Sequence, residues 1–260
     1  MIGSTLRNGS LRTGRSFDLG KMDLRQLWIA YLTYPTILLY IALAVASFAM
    51  LGRHFPGILP TAVAMGAVIA IYPVAWYLIH RFILHGRFLY RMKWTASLWK
   101  RIHFDHHQDP HLLDVLFGSP LNTLPTIALI TLPVGYSIGH LGGAAAAMGT
   151  GLTVTCIYEF FHCIQHLNYK PRMRWIQKMK QRHVLHHFHH EDGNYGITSF
   201  FVDRLFGSYY ADARARPRSA HVFNLGYDLQ EATLYPWVMD LTGAPPREKP
   251  DGAPPQRNAA

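Results

Sequence analysis

The sequence predicts an all-α integral-membrane protein, with four transmembrane helices and a cytosolic cap of interfacial helices that carries a histidine-rich two-metal site. Three observations lead there. Four stretches of the 260-residue chain contain no Asp, Glu, Lys or Arg: 26–52, 55–79, 115–139 and 141–158. If all four cross a bilayer, 24 of the 25 Lys and Arg residues fall on one side. Ten of the sixteen histidines fall in four tight groups, and all ten lie on that same side.

Half of the residues are hydrophobic and only 15% are charged, which is more apolar than an average soluble domain. Each charge-free stretch has 18 or more residues, the length that a hydrocarbon layer of roughly 30 Å demands of a helix rising about 1.5 Å per residue. Residues 1–26 read as a basic cytosolic tail, in which Arg7, Arg12 and Arg15 stand among Ser and Thr. Transit peptides share that composition. The apolar run that follows exceeds the roughly 7–15 residues of a signal-peptide core, so it reads as a retained helix.

Residues 27–242 form one membrane-embedded domain. Its first hairpin has spans at 27–51 and 57–80, joined around Pro56-Gly57. The second has spans at 121–139 and 142–162, turning at Gly139-His140-Leu141-Gly142-Gly143. Between the hairpins, Trp94, Leu98 and Ile102 recur every four residues while Arg91, Lys93, Lys100 and Arg101 fall elsewhere, the pattern of a helix lying in the interface. A second interfacial helix covers 172–187, with Met173, Ile176 and Met179 on its apolar side. The aromatic run 200–210 is interrupted by Asp203 and Arg204 and is too short to span, so it also belongs at the interface. Residues 243–260 are rich in Pro, Gly and charge, a composition with nothing to bury, and read as a disordered tail.

The net charge of +10 reads as a topology signal and not as a nucleic-acid footprint; no nucleic-acid partner is expected. Five Lys or Arg lie in the N-terminal tail, six in 81–114 and thirteen after Phe161, with Arg53 alone opposite. The positive-inside rule then places both termini in the cytoplasm, where the same cations meet anionic headgroups. Cys156 and Cys163 are seven residues apart, about 10 Å along a helix, and cannot bridge to each other.

The histidine groups are His80 and His85; His103, His106 and His107; His162 and His166; His183, His186 and His187. Residues at i, i+3 and i+4 share a helix face. The His80–His85 spacing is one too long for an α-helical face, and it requires the helix to end or bend near Leu84-His85-Gly86. Interface histidines can be ordinary half-polar residues or touch phosphates. Two copies of H-x-x-H-H among four one-sided groups favour metal. Ten imidazoles exceed the four ligands of a closed zinc site, so two metals are implied. Imidazole suits zinc, copper, iron and nickel. Iron is preferred, because hydrolysis would want nearby acids whereas C–H oxidation needs a redox metal; zinc could take its place on purification.

Glu159 is the only acid within the four expected spans, one helical turn before His162. A carboxylate at that depth without a partner is costly, so it reads as accepting a hydrogen bond from a ligand histidine or offsetting metal charge; pairing with a loop cation is the alternative. His189 and His190 continue the last group, with a hydrated surface position as one reading and a supporting or substrate-gating role as the other, which His190 carries here. His54, His111, His140 and His221 are isolated and carry no assigned role.

At these residues the chain resembles the fatty acid hydroxylase and sterol desaturase superfamily, with the fatty acid 2-hydroxylases most similar in appearance. The matching segments are HRFILH at 80–85, HFDHH at 103–107, HCIQH at 162–166 and HVLHH at 183–187, followed by HHFHHEDGNYGITSFFVDRLFGS. The resemblance covers roughly residues 70–210. It implies a di-iron centre that uses dioxygen to oxidise a C–H bond of a lipid, most simply hydroxylation of an acyl chain near its carboxyl end. The yeast and animal relatives carry a haem-binding cytochrome domain with an HPGG motif, of which HFPG at 54–57 is only a loop echo. The implied electron donor is therefore a separate protein, a b-type cytochrome or a ferredoxin with its reductase. Val202 stands where the family has Trp before the Asp, which puts a role for that Trp in doubt.

Alternatives within the same chemistry are a sterol or acyl desaturase and a carotenoid hydroxylase, although the 17 residues between His85 and His103 are long for the latter. From another class, a non-catalytic metal-binding membrane protein or transporter would be expected to place polar ligands near mid-membrane; here the spans are nearly free of them.

Overall fold

The computed structural model describes residues 17–246, and among these residues helices dominate, with no β pairing beyond one isolated bridge between Asp18 and Leu112. The basic tail up to residue 16 and the C-terminal tail from 247 lie outside the described residues. In chain order the helices are α1 (Leu24–Leu32), α2 (Pro35–Arg53), α3 (Ile58–Leu78), α4 (Phe88–Arg91), α5 (Lys93–Trp99) and α6 (Asp105–Gln108). They continue as α7 (Leu113–Leu116), α8 (Pro120–His166), α9 (Arg174–Phe188), α10 (Phe201–Leu205), α11 (Leu229–Leu234) and α12 (Trp237–Thr242).

The first expected span, 27–51, is two helices and not one. Asp23 and Gln26 form a reciprocal capping box that starts α1, satisfying two of the free N–H groups of its first turn. The chain then breaks at Thr33-Tyr34, and Pro35 opens α2. Proline lacks the N–H that a continuous helix would need and excludes the preceding residue from helical geometry, yet it suits a first helical position.

Three helical stretches are long and apolar enough to cross a membrane: Pro35–Arg53, Ile58–Arg91 and Leu113–His166. The last folds back on itself. Gly139 and His140 leave helical geometry, His140 at φ 49°, at the turn the sequence places between two spans. The two halves of α8 then lie side by side. A Cβ on Gly135 would sit 2.3 Å from the Gly143 carbonyl oxygen, so only glycine allows this approach. Thr131 and Met148 meet farther down, at 3.4 Å.

α2 and α3 both pack on α8. Leu27, Ile37, Leu152, Cys163 and Leu167 form a shared core where α1, α2 and α8 meet. Outward, Ile58, Leu59, Leu121 and Leu129 are each 74–84% exposed, an apolar surface that suits lipid as the solvent. Cys156 and Cys163 are both free thiols.

The short helices gather where α3 and α8 end. α9 packs against α8 and buries Met179, as its periodicity predicts, while Met173 stays exposed. α10 buries Val202 and Asp203 but exposes Phe201 and Leu205. α11 is held by Glu231, which receives Arg91 at 2.6 Å and the Tyr90 hydroxyl at 2.9 Å.

Candidate metal centre

The ten histidines singled out by spacing converge into two groups of five. His80, His85, His103, His107 and His186 form one; His106, His162, His166, His183 and His187 form the other. Within each group one ring nitrogen per residue lies within 4.8 Å of all the others. Each H-x-x-H-H triplet is shared between the groups. His103 and His107, one turn apart, face the first group while His106 faces the second. On α9 the order reverses, with His183 and His187 in the second group and His186 in the first. The pairs His80/His85 and His162/His166 each stay whole.

A wider turn solves the awkward His80–His85 spacing. Residues Ile79–Leu84 form a π-helical segment, and the His85 N–H bonds the His80 carbonyl at 3.1 Å. An i→i+5 turn brings residues five apart onto nearly one side, and the two imidazole centroids lie 4.9 Å apart. The helix ends just beyond, at His85-Gly86, as the sequence requires. A second π segment, Lys100–Phe104, carries His103.

Within the groups, ring nitrogens crowd against one another. His103 Nε2 lies 3.2 Å from His80 Nε2 and 2.9 Å from His85 Nε2. In the second group His106 and His162 approach to 3.1 Å, and His166 and His183 to 2.8 Å. Neutral imidazole has one donor and one acceptor nitrogen, so such contacts suit lone pairs that share an electrophile better than they suit each other. The outer nitrogens are oriented by backbone. His80, His107 and His186 donate from Nδ1 to the carbonyls of Tyr195, Val222 and Gly193, at 2.5, 2.9 and 2.8 Å. These bonds fix the tautomer and aim each Nε2 lone pair inward, the usual arrangement of a metal-ligating histidine. Nε2 of His107 and His186 is buried with no hydrogen-bonding partner among the described residues, as are both ring nitrogens of His187.

Electrostatics agree. Burial pushes the imidazoles of His103, His106, His183, His186 and His187 well below their ordinary range, and that of His107 down to about 4. They are neutral near pH 7, the state a metal requires. All-imidazole donors of this number fit two transition-metal ions and not calcium or magnesium, which take oxygen ligands.

Glu159 is buried, and its Oε2 stands 3.6 Å from His162 Nδ1. That distance is too long for a hydrogen bond and short enough for charge to be felt. His190 is buried too but joins neither group. Its Nδ1 accepts from the Asp192 N–H at 3.2 Å and its carbonyl accepts from the Tyr210 hydroxyl at 2.7 Å, which fastens the chain as it leaves α9. Of the isolated histidines, His111 bonds the His166 carbonyl at 2.9 Å, and His140 sits at the turn of α8.

Three features escape sequence reasoning. Asp203 accepts from the N–H groups of Tyr195 and Gly196 and from the Ser208 hydroxyl, each at 2.8 Å, holding the loop whose Tyr195 carbonyl orients His80. Asn194, at φ 52°, pairs both ways with Tyr210, a left-handed position that Asn tolerates. Glu191 is buried beside Ser219, whose hydroxyl donates to it at 2.9 Å. The Asp before a Phe-Gly pair and the Asn before Tyr-Gly were visible as motif residues; nothing in the sequence shows which carbonyls they position.

A cavity of about 410 Å³ leads to these imidazoles. Its walls come from α3, the π segment after it and both halves of α8, with Val68, Tyr72, Ile79, Ile127 and Thr155 among them, and His80, His103, His106, His162 and His183 border it. It is mainly apolar. Trp76 and Glu159 are among its lining residues, and their Nε1 and Oε2 atoms are buried without hydrogen-bonding partners among the described residues.

Apolar helices long enough to cross a membrane, two imidazole groups able to hold metal and an apolar cavity leading to them define a membrane-associated metal-binding protein. The chain belongs to the fatty acid hydroxylase family, whose pattern its residues 64–208 match. It is 30% identical over 200 residues to a dihydroceramide fatty acyl 2-hydroxylase of Arabidopsis thaliana, covering 74% of this chain and 77% of that one. With the fatty acid 2-hydroxylase of Rattus norvegicus it shares 25% identity over 190 residues, 69% of this chain but only 50% of the relative, so it spans about half of that protein's length. A solved structure of full-length scs7p, in which only the hydroxylase domain is visible, has the same fold with a TM-score of 0.55 and 22% identity, covering 77% of this chain and 71% of that one.

Proposed function

We propose that the protein is a four-span, di-iron, dioxygen-dependent lipid hydroxylase that attacks an acyl chain near its carboxyl end. The observation that carries the reading is the meeting of two five-imidazole groups at the end of an apolar cavity. On this reading the two halves of α8 are separate spans, the short helices form a cytosolic cap, and both termini are cytoplasmic, in keeping with the one-sided Lys and Arg distribution.

His80, His85, His103, His107 and His186 would hold one iron, and His106, His162, His166, His183 and His187 the other. Two irons so held would supply reductive activation of dioxygen to an oxidant strong enough to break a C–H bond. The chain does the rest. Carbonyls of Tyr195, Val222 and Gly193 fix imidazole orientation, the buried cap excludes water, and Glu159 places negative charge beside His162.

Position within the cavity supports attack near the polar end of the lipid. Trp76 and Glu159 line the cavity one helical turn before His80 and about one turn before His162, so these two polar residues stand toward the imidazole end, where the polar head of an acyl lipid would lie. The tail then fills the apolar part between α3 and α8. The names of the Arabidopsis and rat relatives support the same carbon position. The test is reconstitution with iron, dioxygen, an external reductase and acyl lipids, followed by mass spectrometry of the products. A product with one added oxygen next to the acyl carbonyl is expected; a new double bond, or modification of sterols or carotenoids alone, would overturn the substrate and outcome assigned here.

A further inference from the structure

The cavity has a far end as well as a metal end. On α3 its lining runs from His80 back to Val68, and on the second half of α8 from His162 back through Glu159 and Thr155 to Gly151. These runs are twelve and eleven residues long, so at about 1.5 Å per residue both walls stop about 17 Å from the imidazoles. On the first half of α8 the lining stops at Thr131. There the two halves of α8 close on each other. A Cβ on Gly151 would fall 2.7 Å from Thr131 Cγ2, and Thr131 Oγ1 meets Met148 Sδ at 3.4 Å. One turn deeper, a Cβ on Gly135 would fall 2.5 Å from Ala147 Cβ, and on α3 Ala64 is fully buried. Hydroxyls at this end turn back on their own helix: Thr131 donates to the Ile127 carbonyl and Thr155 to the Gly151 carbonyl, each at 2.8 Å. The far end therefore suits a terminal methyl group and not a polar one.

We propose that Val68, Thr131 and Gly151 form the floor of an acyl-chain ruler that limits the substrate to about 14–16 carbons. The inference rests on the hydroxylase reading, which places the carbonyl end of the chain at the imidazoles. Carbon–carbon bonds of about 1.5 Å near the tetrahedral angle advance an extended chain by about 1.25 Å each, so about 14 of them span the distance to the floor. Lipid tails are as apolar as the cavity wall, so moving a methylene from bilayer to cavity gains little by itself. Fit at the floor decides instead. A short chain leaves space empty and loses packing contacts; a long one must bend or displace the floor, and overfilling a packed interior is costly.

A side exit is the rival arrangement. Ile83 and Leu121 line the cavity and are also exposed, and a chain leaving beside them into lipid would escape the floor.

The experiment gives the full chain, in nanodiscs, a mixture of saturated N-acyl amides shorter and longer than about 15 carbons. One readout is product after iron loading. The other is displacement of a fluorescent acyl amide by each length, which needs no turnover. The wild type should prefer about 14–16 carbons in both. Val68→Phe should move the preference about two to four carbons shorter and weaken the wild-type optimum about tenfold. Val68→Ala should move it longer. Destabilisation alone would lower all lengths alike, so opposite shifts from one position identify the floor. Displacement that does not depend on length, or the same preferred length in all three proteins, would overturn the ruler and point to the side exit. Length-dependent displacement that shifts as stated, with no product at any length, would support the ruler and count against the hydroxylase reading.

Discussion

His106 and His107 are neighbours in sequence, yet their ring centroids lie 6.2 Å apart and they belong to different imidazole groups. His107 stands with His80 and His186, and His106 with His162 and His183. The same division separates His186 from His187 on α9. If each group holds one metal, adjacent alanine substitutions should act on different ions. His106→Ala and His107→Ala are each expected to lower bound iron from two equivalents towards one and to abolish product. Spectra of the remaining iron should differ between them. Identical spectra with both irons lost together would argue for a single shared site.

Asp203 is far more consequential than a surface acid. It accepts three hydrogen bonds at 2.8 Å from the loop that orients His80. Asp203→Ala leaves the two buried N–H groups unpaired and removes one partner of the Ser208 hydroxyl, which keeps the Tyr77 hydroxyl at 2.9 Å, at a cost of roughly 2–4 kcal/mol. Thermal unfolding in detergent should register this, together with weaker iron binding. Wild-type stability and iron retention would remove Asp203 from its positioning role.

Ala75 lines the cavity on α3, one residue before Trp76. Ala75→Trp should fill part of the apolar channel without touching an imidazole. Product is expected to fall at least about tenfold for long acyl chains while iron content stays at two equivalents. Equal turnover of long and short chains by the variant would place the acyl chain elsewhere.

Burial pushes Glu191 up to about 7 from an ordinary value of 4.5. The folded protein holds this proton more tightly than the unfolded chain. The stability it contributes is therefore complete below about 4.5 and is lost as pH rises through about 7. Glu191→Gln should flatten the fall in melting temperature between about pH 4.5 and 7, checked by thermal scans across that range. An unchanged slope would show that another group governs it.

The ten histidines were legible because their signal is local: spacings of three and four residues name a helix face, and the order of charge-free stretches brings the faces to one end. The second hairpin was legible for the same reason, since Gly139, Gly142 and Gly143 mark its turn. What sequence could not show depends on distant backbone. The π segment at Ile79–Leu84 hides behind a spacing that looks irregular for an α-helix. The carbonyls of Gly193, Tyr195 and Val222 carry no residue-type signature, and their partners lie 7 to 115 residues away. The break before Pro35 was readable from proline chemistry, but the unbroken run of apolar residues masked it. Glu159 drew attention by its isolation in an apolar span, and its buried Oε2 stands 3.6 Å from His162 Nδ1, too far for the hydrogen bond expected of it.

The central claim is that two irons held by these ten imidazoles oxidise an acyl lipid with dioxygen. Its most direct test is one preparation: purified, iron-loaded protein assayed for metal and then for incorporation of oxygen from isotopically labelled dioxygen into an acyl lipid. The account predicts two iron equivalents per chain and labelled hydroxyl beside the acyl carbonyl. One equivalent or fewer after full loading, or a hydroxyl whose oxygen comes from water, would contradict it.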